Sequence, residues 1–372
     1  GKLLNQVTHG QWSVTRIEGV DPKTHTVYYT STEASPLQRQ MYAVRFDGTN
    51  QRRITSSAGT HHINMAPDTR YYIDSWSSLA TPTQVELWGT TRGGKKLGTF
   101  ETNATVSRWL ASHVYSRPEI LSFTTSDGAH LDASMIRPVP FDSTHRYPVV
   151  FDIYGGPGSQ QVYDAFSTST WDQWLAQQGY LVIGVNNRAS NNYGSAFMKI
   201  SYRHLGKWES HDFAETARYL AKLPYVDAKR VGIIGTSYGG YSTVYTMEMY
   251  PELFTVGVAN SPVTDWRLYD TIYTERYMGL LGDNGEGYEE SSAVKHADRL
   301  TGHLLLIHSM LDDNVHIANT MQLLTALTKA GHDADLRLYP PGRHGAAYSD
   351  ESRLLIREAT FEHLQRYLKG EK

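Results

Sequence analysis

The sequence predicts an α/β fold with a mainly parallel, helix-covered sheet, preceded by an incomplete all-β segment. Three observations carry that expectation. Short β-branched and aromatic runs fill the N-terminal part, apolar strands alternate with amphipathic helices after it, and Gly235-Thr236-Ser237-Tyr238-Gly239 marks one strand-to-helix junction.

Residues 1–110 read as antiparallel sheet. Trp12–Ile17, Thr26–Thr30, Met41–Phe46, Arg70–Ser75 and Gln84–Thr90 carry the side chains that fit a pleated, half-buried surface, and turn formers such as Asp47-Gly48-Thr49-Asn50 divide them. Two blocks recur at a period of about 45 residues, the length of a four-stranded propeller blade. One closes on Asp47-Gly48 and Arg53-Ile54-Thr55; the other runs from His61-His62 through Tyr71-Tyr72-Ile73 to Gly98-Thr99-Phe100. Two blades cannot close a ring, so either the chain is a fragment or its strands complete something outside it. Gly1-Lys2-Leu3-Leu4, opening directly into strand-like sequence with no apolar leader, supports truncation.

Residues 111–372 change rhythm. Pro148–Tyr154, Tyr180–Val185, Arg230–Gly235, Phe254–Ala259 and His303–His308 are apolar runs suited to strands buried on both faces. Phe213–Leu223, Ile317–Ala330 and Ser352–Leu368 are amphipathic and read as the covering helices.

Composition excludes several functions. With 35 Lys+Arg against 38 Asp+Glu, a net charge of −3 provides no basic field to hold a nucleic-acid backbone or an anionic membrane. No apolar stretch approaches the roughly 18 residues that span a bilayer. Zero cysteines remove disulfides, thiolate metal sites and a thiol nucleophile, while leaving the compartment open. The histidine pairs His61-His62 and His308 with His316 lack a third ligand at workable spacing, so no metal and no cofactor are expected.

Ser237, between glycines and between a strand and the helical stretch Tyr241–Tyr250, reads as the nucleophile elbow of an α/β-hydrolase fold. The turn is tight, so a Cβ at either flank would strike neighbouring backbone. A serine hydroxyl needs a base oriented by a carboxylate, and this fold places them in the order Ser, acid, His. Asp312-Asp313 follows the strand ending at His308, and His344 follows the strand Asp335–Tyr339. Both lie at strand C-terminal ends, where a parallel sheet gathers its functional groups. The oxyanion of acyl transfer needs two prearranged donors. One is expected to be the Tyr238 amide; the other is a loop N–H or the Tyr154 hydroxyl, from Asp152-Ile153-Tyr154-Gly155-Gly156-Pro157-Gly158. Trp266, Tyr269 and Tyr273 recur at i, i+3 and i+7, so on one helix they would share a face, as core or as an aromatic pocket suited to a flat ring such as proline's.

Ser237-Tyr238-Gly239-Gly240-Tyr241, Tyr273-Thr274-Glu275-Arg276-Tyr277-Met278-Gly279 and Asp312-Asp313-Asn314-Val315-His316 resemble the prolyl oligopeptidase family of serine peptidases, in its dipeptidyl peptidase IV branch. The likeness extends over essentially the whole chain. It implies Ser237 as nucleophile, Asp312 as the orienting acid, His344 as base, and the Tyr154 hydroxyl beside the Tyr238 amide at the oxyanion. It further implies a proline pocket of Tyr238, Val263, Trp266, Tyr269, Tyr273 and Val315, with Asn314 holding a substrate carbonyl. The activity so implied is release of N-terminal di- or tripeptides after proline or alanine, from peptides with proline near the N-terminus, by a homodimer in the periplasm or outside the cell. A broad acylaminoacyl peptidase or esterase is the rival on the same fold, and an inactive binding homologue the rival from another class. Thr236 stands where this branch commonly has Trp, and Asn186-Asn187-Arg188-Ala189-Ser190 replaces its Asp-Gly-Arg-Gly type of loop. The glutamate pair and arginine that grip the substrate's amino end in this branch precede anything in this sequence, so weak or no peptidase activity is expected of these residues alone.

Overall fold

The computed structural model describes residues 1–90 and 94–370. Two compact units are present. The first takes Gly1–Pro118 with Val162–Thr170 and Asn192–Ser195; the second takes Glu119–Gln161, Trp171–Asn191 and the chain from Ala196 onward.

The first unit carries two four-stranded antiparallel sheets. β1 (Val14–Asp21), β2 (Thr26–Ser31), β3 (Gln40–Arg45) and β4 (Arg52–Arg53) form one in sequential order; β5 (Thr60–Met65), β6 (Tyr71–Ser78), β7 (Thr81–Gly89) and β8 (Lys96–Glu101) form the other. This is the blade-like pattern that the 45-residue repeat predicts. Gly1–Ser13 forms no strand, unlike the expectation for the opening residues. The run is polar, with Gln6, His9 and Gln11 among its residues, and Leu3 and Leu4 are exposed; Val7 and Trp12 pack on Tyr29, Tyr42 and Val44, but no period-2 apolar alternation runs through it to pair as a strand.

In the second unit, β9 (Glu119–Thr124), β10 (His130–Ile136), β11 (Tyr147–Asp152), β12 (Leu181–Asn186), β13 (Val226–Thr236), β14 (Val256–Asn260), β15 (His303–His308) and β16 (Asp335–Leu338) make one sheet in the order β16-β15-β14-β13-β11-β12-β10-β9. The pairs from β12 through β16 are parallel, and β10 joins β12 and β9 antiparallel. This is the α/β-hydrolase arrangement the sequence predicts, extended by the β9–β10 hairpin.

Alternation along the central strands sends side chains into two separate cores. Val149, Phe151, Ile233, Leu304 and Leu306 pack on one face; Val150, Ile234, Val258, Leu305 and Ile307 pack on the other. Both faces are dry, which is why these strands read as continuous apolar runs. The consequence for function is geometric. β11, β13, β14, β15 and β16 run in the same direction, so the loops leaving Asp152, Thr236, Asn260, His308 and Leu338 emerge along one rim. No helix among the described residues is long and apolar enough to cross a membrane.

Candidate active site

Ser237 sits at the turn between β13 and the helix Tyr238–Met249, with φ 64° and ψ −119°. A non-glycine residue held there stores on the order of 1–3 kcal/mol of strain. Its neighbours clamp it. The Ser237 amide donates to the Asn260 carbonyl at 2.8 Å, and its own carbonyl accepts from the Tyr241 amide at 3.0 Å. Close approach of backbones explains the flanking glycines: a Cβ on Gly235 would lie 2.5 Å from the Gly239 carbonyl oxygen, and one on Gly239 would lie 2.4 Å from that of Ile153. The elbow is thereby pressed against the end of β11, from which Tyr154 projects.

Asp312 follows β15 and is buried. Its carboxylate accepts from the amides of Asn314 (3.0 Å) and Val315 (2.9 Å) and faces His344 Nδ1 at 2.9 Å and His308 Nε2 at 3.3 Å. Burial alone would raise its pKa, but the hydrogen bonds from His308, His344 and the Asn314 amide together hold it well below the usual carboxylate range. It is therefore ionised over all working pH. The stability it brings is present above the ordinary carboxylate pKa and is lost only as pH falls through the lower folded value. Asp313, the neighbouring acid, is exposed and lies 3.6 Å from Arg343.

His344 is half-buried, with Nδ1 committed to Asp312. Its loop is tied to the elbow by residues to which sequence reasoning assigned no role. Asn260 accepts from the Ser237 amide with its carbonyl and donates with its side chain to the Gly345 carbonyl at 3.0 Å. Ser261 Oγ accepts from the Gly345 amide, and Ser309 Oγ donates to the Arg343 carbonyl. Among the described residues no hydrogen bond joins Ser237 Oγ to His344, whereas the link from Asp312 to His344 is closed. His308, read from the sequence only as a poor metal ligand, is fully buried and shared between Thr320 Oγ1 (2.7 Å), the Val315 carbonyl (2.8 Å) and Asp312. No group of three or more potential ligands for a metal ion exists among the described residues.

Tyr154 is partly exposed, and its ring lies 5.9 Å from that of Tyr238. Gly156 permits that approach, because a Cβ there would lie 2.6 Å from Tyr154 Cε1 and 3.2 Å from Tyr238 Cγ. Burial and the neighbouring Tyr277 push the Tyr154 phenol above its ordinary pKa, so it keeps its proton and remains a donor. The Tyr154 amide is already engaged by Gln161 Oε1 at 3.3 Å. The Asn187 side chain donates to the Gly155 carbonyl at 3.1 Å, which ties the unusual Asn186–Ser190 loop to this segment.

Trp266, Tyr269 and Tyr273 do not share one helix, and this corrects the reading from their spacing. Trp266 lies in a 3₁₀ turn, Tyr269 is extended at φ −114° and ψ 164°, and a new helix, Thr271–Met278, begins beyond it. Asp270 starts that helix by accepting from the Tyr273 amide at 2.9 Å, a local capping bond that outcompetes continuation of the turn. The three rings still meet, because the chain folds back: Trp266 stacks on Tyr273 at 5.9 Å and meets Tyr269 edge-on at 5.9 Å. Tyr238, Val263, Trp266 and Val315 are buried together in one cluster, with Tyr269 and Tyr273 packed against it. The Tyr269 hydroxyl donates to Asn314 Oδ1 at 2.7 Å, which leaves the Asn314 amide as the donor side.

The sheet, the elbow and the rim of acid and imidazole define an α/β hydrolase. The comparisons are more specific. The prolyl oligopeptidase family model matches residues 166–371, and the dipeptidyl peptidase IV N-terminal region matches residues 1–83. Among curated relatives, a probable dipeptidyl-aminopeptidase B of Arthroderma otae is 36% identical over 347 residues, 91% of this chain and 37% of its own length. Dipeptidyl-aminopeptidase B of Aspergillus niger is 36% identical over 356 residues, 94% of this chain and 39% of its own. The crystal structure of Porphyromonas gingivalis dipeptidyl peptidase 4 matches 98% of this chain and 51% of that chain, with TM-score 0.92 and 37% identity. A putative dipeptidyl aminopeptidase IV from Bacteroides ovatus matches the same shares, with TM-score 0.87 and 31% identity. The chain belongs to the prolyl oligopeptidase family, in its dipeptidyl peptidase IV branch. It spans well under half the length of these curated relatives and about half that of the solved structures.

The close contact at Gly239 generates a test. Gly239→Ala forces the elbow from β11 and is expected to cost about 1–3 kcal/mol, read as a lowered thermal midpoint. Gly282→Ala, with nothing within 4 Å of the added carbon, should leave the midpoint in place. Equal midpoints for both variants would remove the argument for a pressed elbow.

Proposed function

We propose that the protein carrying this chain is a serine exopeptidase that releases N-terminal dipeptides after proline, or after alanine, through an acyl-enzyme. The observation that carries this reading is the hydrogen bond from His344 Nδ1 to an ionised Asp312, on the same sheet rim as the strained Ser237 and beside the aromatic cluster. The names of the relatives, all dipeptidyl peptidases or aminopeptidases, favour dipeptides over tripeptides.

In this mechanism Ser237 Oγ attacks the scissile carbonyl as His344 Nε2 takes its proton, and Asp312 stabilises the imidazolium through Nδ1. The Ser237–His344 contact closes when substrate binds, as catalytic hydrogen bonds commonly tighten in the complex. The developing oxyanion accepts from the Tyr238 amide and the Tyr154 hydroxyl. Collapse breaks the C–N bond, and His344 returns its proton to the leaving amine. Water, deprotonated by the same imidazole, then releases the dipeptide from Ser237. Trp266, Tyr269, Tyr273, Tyr238, Val263 and Val315 suit a flat, apolar ring next to the scissile bond, and the Asn314 amide suits the carbonyl of the preceding residue.

The same reading includes a homodimer. β16 is an edge strand, and exposed Leu338 on it, with Leu354 and Leu355 at 57% and 52% exposure on the helix Asp350–Leu364, presents apolar surface to a second copy.

Two measurements test these proposals. The protein should turn over Gly-Pro-p-nitroanilide in preference to Ala-Ala-Pro-p-nitroanilide. Ser237→Ala should lower kcat by at least about a thousandfold and Tyr154→Phe by about a hundredfold; turnover unchanged in the serine variant would refute the nucleophile. Light scattering should give twice the chain mass, with Leu354→Glu/Leu355→Glu reverting to the monomer. A monomeric parent would refute the dimer.

A further inference from the structure

Tyr238 stands at two places in the proposed mechanism at once. Its amide follows Ser237, and its ring meets Tyr154, Tyr241 and Trp266 at 5.9, 5.4 and 5.4 Å. The phenol is buried, and its hydroxyl donates to Glu209 Oε1 at 2.7 Å. Among the described residues no other hydrogen bond anchors that ring.

Glu209 belongs to the helix Lys207–Leu220 and is fully buried. Its second oxygen has no hydrogen-bond partner among the described residues, and no cation pairs with it there. Asp212, one turn on, is taken up by Arg188. Burial raises Glu209 to about 7, against the lowering effects of the Tyr238 hydrogen bond and of the Glu209 and Gly206 amides at the start of its helix. An apolar side chain of similar volume would pack in this place without the desolvation cost of a half-satisfied carboxyl. Beyond the amides of Gly206 and Glu209 at the start of its own helix, what this carboxyl holds among the described residues is the Tyr238 hydroxyl.

We propose that Glu209 is a positioning residue, which through the Tyr238 hydroxyl fixes the ring facing a proline substrate and so sets the preference for proline over smaller residues. The inference rests on the reading of Ser237 and Tyr238 given above. A ring free to tilt still leaves room for alanine, which contacts it little. It loses complementarity to proline, whose flat face needs a flat wall. Glu209→Gln keeps an acceptor for the hydroxyl, whereas Glu209→Leu and Tyr238→Phe each remove the hydrogen bond from a different side.

The test compares these variants in the full-length protein on Gly-Pro- and Gly-Ala-p-nitroanilide, with fluorophosphonate labelling as the check that the serine is assembled. Glu209→Leu and Tyr238→Phe should each lower the ratio of kcat/KM on the proline substrate to kcat/KM on the alanine substrate about tenfold, the worth of one hydrogen bond. Glu209→Gln should stay near the parent on both. The double variant should fall no further than either single, since both remove the same contact. An unchanged ratio between the two substrates in variants that still label would overturn the proposal, as would an equal loss on both. Should Glu209→Leu fail to fold, Tyr238→Phe and Glu209→Gln decide by the same ratio. A parent that is not labelled contradicts the underlying serine-peptidase reading instead, a result separate from any change of ratio among labelled variants.

Discussion

A single buried carboxylate organises the rim of this sheet. Asp312 is surrounded by four donor groups, and they come from different parts of the site: two imidazoles, His308 and His344, and the amides of Asn314 and Val315. Taking a carboxylate out of water is costly unless its lone pairs are filled, and here they are. The same bonds that keep it ionised fix the plane of His344 and fold the loop bearing Asn314 and Val315, the latter buried in the aromatic cluster. The orientation of His344 and the packing of the aromatic cluster therefore depend on one group.

Around that carboxylate the elbow is held by backbone rather than by side chains. Gly235 and Gly239 allow β11, β13 and the following helix to touch, and Asn260 links the strained serine to the loop of His344. Strain at Ser237 persists because its surroundings over-determine it. Rigid strands supply the position of each group, and the loops supply its orientation.

Much of this was legible in the sequence, for physical reasons. Strands buried on both faces leave unbroken apolar runs, and an elbow leaves its glycines, so the sheet and the turn at Ser237 could be read directly; chain order offered Asp312-Asp313 and His344 at strand ends, and only the family motifs chose between the two acids. The antiparallel pair β9–β10 was not, because it lies at the sheet edge and mixes polar with apolar residues. The path of Trp266, Tyr269 and Tyr273 was misread as one helix, since periodicity cannot show that Asp270 caps a new one. Asn260, His308 and Glu209 carry no pattern that assigns them these partners: Asn260 and His308 are polar residues ending apolar strands, and Glu209 is one of several polar residues opening a helix. Only the fold reveals that Asn260 reaches Gly345, that Glu209 reaches Tyr238, and that the turn after β15 brings His308 back onto Asp312. The family motifs added the pocket residues, which spacing alone left open between core and site.

The most direct measurement of the central claim is covalent. Reaction with a fluorophosphonate, followed by peptide mapping, should place the adduct on Ser237, and Asp312→Asn should slow its formation by about a thousandfold or more, as loss of the orienting acid does in serine hydrolases. An adduct on another residue, or a rate that ignores the Asp312 substitution, would contradict the account.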